Sequence, residues 1–170
     1  ILDNLFHKES LTPKTIVVFV PPVHRHEEYM MSRKFSRWFA TSLVKQVEQK
    51  LRPKSKAEFR TAHGASLGAL CAMHVGLYHS NVFHNIATQS PSFWIEDYEM
   101  VKQVAAKRKL PLRIYLQTGT INDALDGSRA MLGIFEEKGY GVTYRESNES
   151  HNWANWSARY AEIIRWSSAK

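Results

Sequence analysis

Short β-branched runs separated by helix-length segments constrain this chain more than any other feature. Residues 15–22, "TIVVFVPP", form a continuous apolar run closed by two prolines, the pattern of a strand buried on both faces. Further strands are expected in "AEFRTAH" (57–63), "FHNIATQS" (83–90), "LRIYLQTG" (112–119) and "GVTYRES" (141–147). From Ser32, an expected N-cap, Phe35, Phe39, Leu43, Val47 and Leu51 recur at helical spacing until Pro53. A second helix follows through Leu67, Leu70, Cys71, His74, Val75 and Tyr78, and others span 95–109, 126–138 (closed by Gly139) and 153–168. Alternation on this scale predicts an α/β domain with a mostly parallel central sheet and helices on both faces. With 170 residues, a single domain and one sizeable core are expected.

Composition narrows the partners. The net charge is +7, but the basic residues are scattered rather than clustered with aromatics, so nucleic-acid binding is not expected. A solvated basic surface explains them, and attraction of an anionic small molecule is the alternative. No apolar run approaches the roughly 20 residues of a membrane span. The single cysteine, Cys71, excludes an internal disulfide and reads as a core residue. His24 and His26 lack companions at metal-ligand spacing, so no metal and no cofactor is expected.

In a parallel sheet, ligands sit beyond the carboxyl ends of the strands. The segments there are 21–29, Ser66, 89–94, 118–123 and 148–156. Gly64-Ala65-Ser66-Leu67-Gly68 lies between an expected strand and an expected helix. A G-x-S-x-G match arises by chance in about one such chain in twenty, given ordinary Gly and Ser usage. Its context supplies the reason: a nucleophilic serine on a sharp strand-to-helix turn needs small neighbours. The N–H of Leu67, at the helix N-terminus, suits an oxyanion. The plainer alternative is that Ser66 only caps the helix. His151, in the polar loop after the last strand, is the candidate general base. Asp123, after the penultimate strand, is the candidate acid, with an Asx-turn as its alternative. Serine, acid, histidine is the chain order of an α/β-hydrolase.

The stretches "VPPVHRHEEY", "AHGASLGAL", "TQSPSFW", "RIYLQTGTINDA" and "ESHNWANW" resemble, in order, the motifs of the enterochelin-esterase-like branch of the α/β-hydrolases. The resemblance implies Ser66 as nucleophile, His151 as base, Asp123 as acid and a small-molecule ester as substrate. It also places substrate recognition at Arg25, Glu28 and Tyr29. Arg25 would meet an anionic or catecholate group, or else pair with Glu28. Phe93, Trp94 and Trp153 share that sheet edge as an aromatic wall, with Trp156 either joining it or packing in its helix. Members often carry Gly before the catalytic His, where this chain has Glu149-Ser150. The family's second oxyanion donor comes from a loop after an earlier strand, whereas this chain opens in what reads as the helix beyond it, "ILDNLFHKES". The expectation is therefore the C-terminal portion of a longer hydrolase lacking its N-terminal strands, with a sheet edge covered by that segment or by a second copy. An acyltransferase using the same acyl-enzyme, or a non-catalytic interaction module, are the competing functions. The expected compartment is cytoplasmic.

Overall fold

A computed structural model of the chain describes residues 5, 15–53 and 56–169. Four strands, β1 (Thr61–Ala65), β2 (Asn85–Gln89), β3 (Arg113–Gly119) and β4 (Val142–Ser147), pair in parallel in the order β1-β2-β3-β4. Ahead of the sheet lie α1 (Arg25–Tyr29) and α2 (Arg33–Trp38), the latter continuing through a π-helical stretch (Phe39–Leu43) into α3 (Val44–Leu51). The crossovers are α4 (Leu67–Tyr78), α5 (Ile95–Ala106) and α6 (Leu125–Glu137), and α7 (Trp153–Ser168) follows β4.

Right-handed crossovers that all step the same way along a sheet must lie on the same face. Accordingly Ile86, Ile114 and Leu116 share one core with Leu70 of α4, Met100 of α5 and Met131 of α6. The alternate strand residues Ala87 and Tyr115 point the other way and pack on Ile163 and Trp166 of α7. Thus α7, which follows β4, returns across the second face. Ten of the 12 residues of α4 are buried, which explains its apolar character all round: it lies between the sheet and α1–α2. Cys71 is among them, a core residue as expected.

Several expectations are corrected. Residues 15–22 form no strand. A strand needs a ladder partner for its backbone groups, and among the described residues none pairs with this run; Phe19 stands 84% exposed. "AEFRTAH" opens as a 3-10 turn (Ala57–Phe59) before β1 begins at Thr61. Ser32 does cap α2, accepting from the Phe35 N–H at 3.2 Å. The four-residue repeat from Phe35 overruns a full α-helical turn by about 40° per step, and the π stretch partly offsets that drift. Ser36 and Ala40 become the buried positions, while Leu51 drifts out to 50% exposure. In α5 the opening residues Glu96, Asp97 and Tyr98 have φ of 51°, 53° and 62°, a left-handed turn that precedes the regular helix. The helix read in "ILDNLFHKES" lies outside the described residues, apart from buried Leu5. Among the described residues no helix is long and apolar enough to cross a membrane.

Candidate active site

Because all four strands are parallel, their carboxyl ends meet at one edge, and each delivers one residue there: Ser66, Ser90, Asp123 and His151. At Ser66 the chain passes from β1 into α4 with φ 57° and ψ −124°, a conformation costing on the order of 1–3 kcal/mol. The surroundings hold it. The Ser66 N–H donates to the Gln89 carbonyl (2.8 Å), and the Ser66 carbonyl accepts from the N–H groups of Ala69 (3.0 Å) and Ser92 (3.3 Å). Ser66 occupies the N-cap position of α4, yet its side chain makes no capping hydrogen bond. Its Oγ lies 3.0 Å from His151 Nε2 instead.

The other imidazole nitrogen, Nδ1, lies 2.7 Å from Asp123 Oδ1. An ionised carboxylate only accepts, so Nδ1 carries the proton and Nε2 presents its lone pair to the Ser66 hydroxyl. The Asp123 side chain is fully buried, whereas that of His151 is 38% exposed and open to solvent. Burying a carboxylate is tolerable only when its oxygens are satisfied. Asp123 Oδ2 accepts from the Ser90 hydroxyl (2.6 Å) and the Gly119 N–H (2.6 Å). Its backbone bond therefore uses one oxygen and leaves the other for His151. Leu67, the first residue of α4, contributes one of the helix's leading N–H groups, which lack intrahelical acceptors.

Below these groups runs a row of buried polar side chains. Gln89 Nε2 donates to Gln117 Oε1 (3.2 Å) and to the Trp156 carbonyl (3.0 Å). Gln117 Nε2 donates to Asn155 Oδ1 (2.9 Å), which also accepts from Ser147 Oγ (2.8 Å). Asn152 caps α7 through the Asn155 N–H (2.9 Å), so the loop carrying His151 is tied to the sheet at both ends. Sequence reasoning missed Ser90, Gln89, Gln117 and Asn155 as supports. Glutamines inside otherwise apolar strands were the available signal.

The expected recognition residues scatter. Tyr29 packs beside the turn: a Cβ on Gly68 would lie 3.8 Å from its ring. Its hydroxyl donates to the Val20 carbonyl (2.9 Å), and burial raises its pKa. Glu28 accepts from the N–H groups of Val23 (3.1 Å) and His24 (3.3 Å), capping α1. Its carboxylate is thereby engaged on backbone, and Arg25 is exposed on the same helix. Phe93 is corrected: at 1% exposure it belongs to the main core and cannot line a wall. Trp94 and Trp153 are exposed, at 58% and 69%. Trp153 packs edge-on against Trp156 (5.1 Å between ring centroids), which is itself edge-on to His151 (5.0 Å). No group of three or more His, Cys, Asp or Glu is arranged to hold a metal among the described residues.

The family model for the esterases described as "Putative esterase" matches residues 10–166. The chain belongs to that family. None of the curated proteins matches it by sequence. The enterobactin esterase of Shigella flexneri, solved with enterobactin, superposes with a TM-score of 0.83 at 19% identity, covering 98% of this chain and 45% of that one. The ferric enterobactin esterase of Salmonella typhimurium gives 0.79 at 22% identity, covering 98% and 44%. A fluorophosphonate-binding serine hydrolase of Staphylococcus aureus gives 0.67 at 12% identity, covering 78% and 63%. At these identities the likeness establishes the α/β-hydrolase-like fold. The chain spans less than half the length of the two enterobactin esterases.

Proposed function

We propose that this family member is a serine carboxylic-ester hydrolase acting through an acyl-enzyme. The observation carrying the reading is the unbroken line Asp123–His151–Ser66, at 2.7 and 3.0 Å, ending on a serine in a strained turn. His151 Nε2 takes the proton as Ser66 Oγ attacks the ester carbonyl. Asp123 steadies the imidazolium that forms, and the Leu67 N–H faces the oxyanion. Collapse expels the alcohol, which takes the proton from His151. Water, deprotonated by the same nitrogen, then releases the acid and regenerates Ser66.

The substrate class we favour is a polar or aromatic ester of the siderophore kind. Its supports are the similarity to two enterobactin esterases and the two exposed tryptophans at the sheet edge. A fluorophosphonate probe and a p-nitrophenyl ester test the reaction. The parent protein should label and turn over, and Ser66→Ala should abolish both. His151→Ala should lower turnover by at least about 1000-fold. A parent that neither labels nor hydrolyses overturns the reading; labelling that survives in Ser66→Ala moves the nucleophile elsewhere.

A further inference from the structure

Ser90, at the carboxyl end of β2, has φ 43° and is wholly buried. Glycine would adopt that backbone with less strain, so the position retains serine for its hydroxyl. The hydroxyl stands between two groups. Trp156 Nε1–H donates to Ser90 Oγ (2.8 Å), and the Ser90 O–H donates to Asp123 Oδ2 (2.6 Å). The same indole meets the His151 ring edge-on, at 5.0 Å and 87°. Trp156, Ser90, Asp123 and His151 thus form a closed circuit of contacts.

We propose that Ser90 and Trp156 are positioning residues, a clamp that holds Asp123 and His151 in register with Ser66. The inference rests on the hydrolase reading above. A hydroxyl has one hydrogen, which the Asp123 carboxylate accepts, and the indole N–H, by donating to one of the two lone pairs of the oxygen, holds the group in that orientation. Without the Ser90 hydroxyl, Oδ2 would keep the Gly119 N–H (2.6 Å) and only a long contact from Asn155 Nδ2 (3.5 Å), and the carboxylate could still swing about its Cβ–Cγ bond. A second short donor, from the neighbouring strand, fixes its plane, so that Oδ1 meets His151 Nδ1. The indole edge limits rotation of the imidazole.

The test uses Ser90→Gly, which suits the local backbone and removes the hydroxymethyl group, and Trp156→Phe, which keeps an aromatic edge and removes the N–H. With p-nitrophenyl acetate, Ser90→Gly should lower kcat about 10-fold and leave KM within about 2-fold. Trp156→Phe should lower kcat about 3-fold, and the double variant should be no slower than Ser90→Gly, because both act through one bond. The far-downfield NMR resonance of the His151 Nδ1 proton should shift or broaden in each variant. A kcat within about 2-fold of the parent in Ser90→Gly, a KM effect alone, or additive losses would overturn the clamp. If the parent protein is inert to ester and probe, the hydrolase reading fails by itself. The proton resonance then decides the clamp: unmoved in Ser90→Gly it is refuted, displaced it is supported.

Discussion

At Gly64 an added Cβ would sit 2.3 Å from the carbonyl carbon and oxygen of Gly68 and 2.8 Å from the Ala69 nitrogen, all backbone atoms that cannot step aside. At Gly68 the same atom would meet only the Tyr29 ring, at 3.8 Å, an ordinary contact. The two glycines of one motif therefore do different things: Gly64 lets strand and helix close up, whereas Gly68 is a helical residue with room beside it. Gly64→Ala should destabilise the protein by at least about 2 kcal/mol in urea unfolding. Gly68→Ala should leave stability unchanged or raise it by up to about 1 kcal/mol. Gly119 is a third case, since a Cβ there would press on the Glu149 carbonyl at 2.2 Å and Asp123 Oδ2 at 2.7 Å. Gly119→Ala should slow fluorophosphonate labelling on the order of 100-fold while the fold persists by circular dichroism, as expected when reacting groups are misplaced by about 1 Å. The sequence singled out Ser66, Asp123 and His151 because each follows an expected strand, and the structure brings the three within hydrogen-bond reach. Ser90 was not, because its role depends on a positive φ and on an indole 66 residues away.

Among the elements, α4 carries a titratable group in its buried length. His74 is 2% exposed; burial first, then Arg33 and His79 nearby, lower its pKa from 6.5 to about 4. Between those values the unfolded chain binds the proton and the folded one does not, so folded stability falls as pH drops from about 6.5 towards 4. The loss should reach up to about 3 kcal/mol. His74→Leu should flatten the pH dependence of the urea midpoint between pH 7 and 4.5 relative to the parent; an unchanged slope would assign the acid sensitivity elsewhere. Element by element, the strands within the sheet and α7 were readable from periodicity, and α7 begins and ends where its pattern does. Residues 15–22 misled because an apolar run specifies burial only if something is present to bury it. The π stretch was hidden because a four-residue repeat resembles a helical one over short windows.

For the whole molecule, Val17, Val18 and Phe19 join Leu43, Val47 and Leu51 around an open groove, and Val23 nearby is 82% exposed. Such a surface favours association. Static light scattering should show mass rising with concentration, and Phe19→Lys should suppress the rise; equal scattering from both proteins would assign association to another surface. The parallel order of the sheet has a different consequence, one in time. Because each strand adds one member of the candidate site, a ribosome releases Ser66 first, then Ser90 and Asp123, and His151 last of the four. Until residues through α7 have emerged, Ser66 is present without the His151 imidazole held beside it. Under the hydrolase reading proposed above, a nascent chain stalled before His151 emerges should take up no fluorophosphonate, and labelling should begin only once α7 covers the second face of the sheet.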